Sequence, residues 1–134
     1  MIRYFAYGCN TNLHEFASRI PPAILVGKAC LPNYRFVMRE FADVVPKKNE
    51  KVWGVLWDVP AGWISELDQV EEHYRQEYVF VNWNGVRVKA MVYVMNDLQP
   101  GPPSQQYVDR VRQGYLENEL PPEQLKSALQ PSDS

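Results

Sequence analysis

Residues 86–95 carry the strongest constraint on what this chain can fold into. Val86, Val88, Ala90, Val92 and Val94 alternate with Arg87, Lys89, Met91, Tyr93 and Met95. A period of two lays one apolar layer on a single face of a strand and turns Tyr93 away from it. Directly ahead stands Asn84-Gly85, a pair that accepts positive φ at both positions and so fits a two-residue hairpin turn. Residues 78–95 therefore read as an antiparallel hairpin. The same kind of alternation makes strands of residues 2–7, 31–39 and 52–59. Helical spacing takes over later, where Ser104 stands ready to cap a helix with Tyr107, Val111 and Tyr115 on one stripe. Pro121-Pro122 opens a last short helix through Leu129. Residues 131–134 read as a frayed tail. With 134 residues and neither repeat nor linker, the expectation is a single α+β domain spanning residues 1–134.

Charge and cysteine usage narrow the partners. A net charge of -2 gives no electrostatic reason to expect nucleic acid or an anionic membrane. No run reaches the length of a membrane span, and the start Met-Ile-Arg-Tyr-Phe lacks the order of a signal peptide. With Cys9 and Cys30 the only cysteines, a disulfide framework is excluded. The expected setting is cytoplasmic, with a small-molecule ligand.

Residues 60–78, PAGWISELDQVEEHYRQEY, read as an amphipathic helix. At about 100° per residue, Trp63, Leu67, Val70 and Tyr74 share one apolar face with Ile64 beside it. Asp68 and Glu72 fall on the solvated side, whereas Glu71 lands at about 80°, between Leu67 and Ile64. A carboxylate withdrawn from water has its charged form disfavoured, and that makes it a useful base near neutrality. The alternative is a rim glutamate paired with Arg3, Arg35 or Arg39. His73 reads as a surface or capping residue at the helix end.

A second feature lies in YFAYGCNTNL, residues 4–13, where a strand gives way to a helix start. Asn12 with Glu15 resembles a capping box, and Leu13, Phe16 and Ala17 give the helix an apolar side. Gly8 permits a tight backbone. The stretch is either a plain connection or a cradle of N–H groups for a carboxylate or phosphate. Cys9 can alternatively be a nucleophile with His14 or His73 as its base. Cys30, in an apolar context, reads as a core thiol. No His, Cys, Asp or Glu group has metal-ligand spacing.

Taken together, the pieces resemble the gamma-glutamylcyclotransferase family. YFAYGCN is similar to its tyrosine-glycine-serine-asparagine loop and ELDQVE to its leucine-aspartate-x-x-glutamate segment. KVWGVLWDV, the strand tyrosines Tyr78 and Tyr93, PPSQQY and GYLENELP follow in the family's order over residues 4–122. Two positions depart from the pattern: Cys9 stands where the family has serine, and Glu72 where a glycine usually follows the glutamate.

The resemblance implies a small mixed, mostly antiparallel β-barrel with flanking helices. It implies an enzyme that releases 5-oxoproline and a free amine or amino acid from a γ-glutamyl amide, without cofactor or metal. Tyr7, Gly8, Cys9 and Asn10 would hold the substrate carboxylate, Tyr78 and Tyr93 would line the cavity, and Glu71 would be the general acid/base. γ-Glutamyl amino acids are the preferred substrates, ahead of lysine-linked amides and glutathione. Leaving-group recognition falls to the rim, at residues 41–51 or 100–103. A homodimer is left open, and a non-catalytic binding module is the alternative outside enzymology.

Overall fold

In the computed structural model, residues 1–70, 72–96 and 101–130 are described. Five strands close into a barrel: β1 (Ile2–Ala6), β2 (Ile24–Met38), β3 (Ala42–Val59), β4 (Tyr74–Trp83) and β5 (Val86–Met95), in the spatial order β1-β3-β2-β4-β5. Every pairing is antiparallel except β1 with β5, which is parallel at Tyr4↔Met91 and shuts the barrel. Around it lie α1 (Leu13–Arg19), α2 (Ile64–Val70), α3 (Gln105–Glu117) and α4 (Pro122–Leu129). This is the small mixed, mostly antiparallel barrel with flanking helices that the resemblance implies. No helix among the described residues is long and apolar enough to cross a membrane. The expected tail, residues 131–134, lies outside the described residues.

The hairpin forms as its turn chemistry dictates. Asn84 and Gly85 both take positive φ, 49° and 76°, and the flanking Trp83↔Val86 pair closes a two-residue loop. Near this tip both faces of β5 are open, but from Ala90 to Met95 both are buried. The face opposite the valines is covered as well, since the Tyr93 hydroxyl donates to Asp68 of α2 at 2.6 Å.

The long helix expected over residues 60–78 is shorter. A 3-10 turn at Ala61–Trp63 leads into α2, which spans Ile64–Val70, and β4 already begins at Tyr74. Pairing with β5 is the reason: Tyr74 stands opposite Met95, and the Asn96 amide donates to the His73 carbonyl at 2.8 Å. Tyr74 is thus a strand residue, and the wheel position assigned to it has no counterpart. Leu67 keeps its expected place, fully buried. Glu71 lies outside the described residues.

The helices are capped as their sequences require. Ser104 accepts from the Tyr107 amide at 3.1 Å, and Tyr107, Val111 and Tyr115 are all buried. Asn12 accepts from the Glu15 amide at 3.1 Å. Glu15 does not complete the box, because its carboxylate is drawn 3.1 Å from Arg110 of α3. On α1, Phe16 is buried and Ala17 exposed; the inward position after Phe16 is Ile20.

One contact fixes α3 against the loop that follows β1. A Cβ on Gly114 would fall 2.1 Å from Thr11 Oγ1 and 2.6 Å from the Asn12 amide nitrogen. Around that point Asn118 donates to the carbonyls of Thr11 and Gly114, both at 2.8 Å. Gly114→Ala should therefore cost about 3 kcal/mol, because backbone atoms of Thr11 and Asn12 stand in the way together with the Thr11 hydroxyl. Gly62→Ala, where a Cβ meets nothing within 4 Å, serves as the contrast. Thermal unfolding should show Tm lowered by about 10 °C for the first and little changed for the second.

Candidate active site

The strand-to-helix stretch after β1 is a short 3-10 turn at Cys9–Thr11. The amides of Thr11 and Asn12 donate to the carbonyls of Gly8 and Cys9 at 3.1 and 3.0 Å, and the Thr11 hydroxyl donates to Gly8 at 2.7 Å. Outside groups hold the turn in place. The indole of Trp57 donates to the Asn10 carbonyl at 3.0 Å, and the Leu13 amide donates to Glu117 of α3 at 2.9 Å. Asn10 is buried, donating to the Tyr4 hydroxyl at 2.9 Å and accepting from Arg19.

This turn forms one wall of a small chamber of about 30 Å³. Its lining is Tyr7, Gly8, Cys9 and Asn10 from the turn, Tyr4 from β1, Ala42 from β3, Tyr74 and Tyr93 from β4 and β5, and Tyr107 from α3. Their hydroxyls are anchored. Tyr7 donates to the Tyr93 carbonyl at 2.6 Å, Tyr74 donates to the Ala42 carbonyl, and Tyr107 accepts from the Ala42 amide at 3.0 Å. Gly8 is needed for closeness: a Cβ there would lie 3.0 Å from the Ala42 Cβ and 3.1 Å from the Tyr107 hydroxyl. Burial pushes the Tyr7 phenol well above its ordinary value, with the negative groups around it adding to the rise. Tyr7 therefore stays protonated and acts as a donor, not as a base.

Cys9, Tyr74 and Tyr107 also line a wider outer recess of about 230 Å³, which adds Arg19, Phe41, Glu72, His73 and Arg110. Sharing Cys9, Tyr74 and Tyr107, the two spaces adjoin as an inner and an outer part of one cleft, and among the described residues the charged side chains line only the outer, wider part. The inner end has room for about one or two water molecules, so a ligand larger than that extends into the outer recess.

Of the residues singled out from sequence, Tyr7, Gly8, Cys9, Asn10 and Tyr93 come together here. Tyr78 does not. It pairs with Met91, two residue pairs toward the hairpin tip from the Gln76↔Tyr93 pair. There it is 57% exposed beneath the Lys89 ammonium, outside the cleft lining. Its place is taken by Tyr74, which the helical reading had hidden. Asp68 is exposed, as expected, and it also accepts from Tyr93 and from Gln76 at 2.6 and 2.7 Å. His73 is partly exposed and stacks on Phe41, ring centroids 6.4 Å apart. Arg3, Arg35 and Arg39 are engaged by Asp58, Glu50 and Asp43 at 3.4, 2.6 and 3.5 Å.

Sequence reading missed Tyr4, Tyr107, Arg19 and the buried Asp43. Asp43 accepts from the Met95 amide at 3.0 Å and ties the start of β3 to the end of β5. The available signal was chemical: a tyrosine on a buried stripe, such as Tyr107, needs a partner for its hydroxyl. Burial pushes the Cys30 thiol up, which fits a core thiol. Among the described residues no cluster of three or more His, Cys, Asp or Glu is grouped to hold a metal.

A family model described as Gamma-glutamyl cyclotransferase, AIG2-like matches residues 4–115. The chain is 28% identical to the gamma-glutamylcyclotransferase of Mus musculus and 27% identical to that of Homo sapiens, over 97% of this chain and 79% of each relative. A solved structure of a gamma-glutamyl cyclotransferase superposes with a TM-score of 0.87 at 26% identity, over 99% of this chain and 90% of that one. Turn, barrel and helices all fall within these matches, and the chain belongs to the gamma-glutamyl cyclotransferase, AIG2-like family of enzymes.

Proposed function

We propose that this chain cleaves γ-glutamyl amides to 5-oxoproline and a free amine or amino acid, with Glu71 as general acid/base. The observation that carries the reading is the cleft itself. The turn Tyr7-Gly8-Cys9-Asn10 and Tyr93 meet in one tyrosine-lined chamber beside a recess lined by residues 72–74. Those residues directly follow position 71. The family match supports the same activity.

Such a chamber suits a reaction whose nucleophile arrives with the substrate. The α-ammonium gives up a proton, its nitrogen attacks the γ-carbonyl carbon, and the C–N bond to the leaving group breaks as that nitrogen takes up a proton. No water is consumed. The enzyme gains mainly by holding amine and carbonyl in reacting geometry, an effect worth up to about 7 to 11 kcal/mol. The turn, tied down by Trp57, Asn118 and Glu117, is a rigid wall for that purpose. Backbone N–H groups of the turn hold the α-carboxylate, and a single carboxylate at position 71 moves the proton from one nitrogen to the other. In this reading Cys9 contributes its backbone and its small size. The partner is a small γ-glutamyl compound, in a cytoplasmic setting, with no nucleic acid or membrane involved and a homodimer as the assembly to test.

Glu71→Gln should lower the rate of 5-oxoproline release by about 10²- to 10⁴-fold, the usual share of a positioned acid/base, while ligand affinity changes far less. Wild-type protein that binds a γ-glutamyl amide without ever forming 5-oxoproline would instead identify a binding module. Cys9→Ser should still form 5-oxoproline. Complete loss of product in that variant, with binding retained, would replace cyclotransfer by thiol catalysis.

A further inference from the structure

The distribution of charge along the cleft separates two tasks. Among the described residues, the side chains lining the inner chamber carry no charge, whereas the outer recess contains two guanidinium groups, Arg19 and Arg110. They are not equivalent. Arg110 is neutralised by Glu15 at 3.1 Å and is half exposed. Arg19 bonds through Nη1 to the Asn10 side-chain oxygen, an uncharged acceptor, and makes no ion pair among the described residues. Among the described residues one of its five donors is thus used and no carboxylate balances its charge at the boundary between chamber and recess. Among the described residues the recess is also faced by Glu72, three-quarters exposed, by His73, which lies 3.8 Å from it, and by Cys9, Tyr74 and Tyr107.

Resting on the function proposed above, we infer that Arg19 is a specificity-determining residue that binds the carboxylate of the leaving amino acid. With the glutamyl end against the uncharged turn, the group on the far side of the scissile amide lies in the outer recess. A leaving amino acid brings a carboxylate there, one carbon from the scissile nitrogen. A simple amine brings none, and a lysine side-chain amine holds its charged groups several bonds further away. A planar guanidinium held by Asn10 is preorganised to take such a carboxylate through two donors. Its tie to Asn10 also sets the side chain in place before substrate arrives, which lowers the ordering cost of binding.

The test compares γ-glutamyl-alanine with γ-glutamyl-ethylamide, whose leaving groups differ only by that carboxylate, in wild type, Arg19→Gln and Arg19→Lys. Glutamine can still donate to Asn10 but has no charge; lysine keeps the charge without the fork. The readout is the ratio of kcat/KM for the two substrates. Wild type should favour the alanine compound, and Arg19→Gln should lower that ratio by about 10- to 100-fold, the range for losing a hydrogen-bonded charge pair. Arg19→Lys should restore part of it. Equal loss on both substrates in Arg19→Gln would overturn the assignment, leaving Arg19 as a support for Asn10 or a ligand of the glutamyl carboxylate. So would a wild-type ratio near one. Thermal unfolding of each variant separates misfolding from altered selectivity. Absence of 5-oxoproline from both substrates in wild type would remove the proposed activity and this inference with it, whereas equal turnover of both removes the inference alone.

Discussion

The parallel contact between β1 and β5 at Tyr4↔Met91 is the constraint on which the rest of the structure depends. β1 is already paired with β3 along its whole length, so this contact turns an open sheet into a barrel and removes its free edges. It also brings the start of the chain beside residues 91–93. The rings of Tyr4 and Tyr93 then meet edge to face at 5.7 Å, and the Tyr7 hydroxyl reaches the Tyr93 carbonyl. A turn that follows β1 is thereby opposed to a strand that ends some ninety residues later. The chamber is the space between them.

Closure alone would leave that turn hanging from one strand. Three further layers hold it: Trp57 of β3 from beneath, Gly114 and Asn118 of α3 from the side, and a relay from α4. In that relay Gln124 donates to the Tyr115 hydroxyl at 2.8 Å, and Tyr115 donates to the Tyr7 carbonyl at 3.0 Å. Gln124 also pairs with both backbone groups of Trp53, so the relay ends on β3. The Tyr115 phenol is pushed up by burial and stays a donor. Buried polar networks of this kind are costly when incomplete and specifying when complete. Here the network fixes the wall that a cyclisation would depend on, where a small misplacement of reacting atoms is expensive.

The chemistry assigned to the cleft follows from what it contains. A chamber of anchored phenols and backbone can orient a substrate and donate hydrogen bonds without supplying a nucleophile. That matches a reaction in which one end of the substrate attacks the other. Among the described residues the charged groups Arg19 and Arg110 line the outer recess and none lines the inner chamber; the proposed reading assigns the two spaces to different halves of a γ-glutamyl compound.

Much of this was legible in the sequence wherever the signal is local. The 86–95 alternation, the Asn84-Gly85 turn, the Ser104 cap and the Pro122 helix start all follow from period and dihedral preference within a few residues. The family motifs picked out Tyr7 to Asn10 and Tyr93. What failed were readings in which two local patterns compete. Residues 60–78 satisfy a helical wheel, yet the backbone from Tyr74 onward is claimed by β5, a partner no wheel can see. Tyr78 and Tyr93 look alike in the strand pattern, and only the barrel decides that one lies under Lys89 and the other over the chamber. Asp43, Asp68, Tyr107 and Arg19 owe their roles to partners brought together by closure and helix docking. The sequence by itself determined the 86–95 strand, its Asn84-Gly85 turn and the helix caps at Asn12 and Ser104, because those preferences act over a few bonds. Tertiary structure alone decided which side chains share the cleft, because that depends on pairings between segments far apart in the chain.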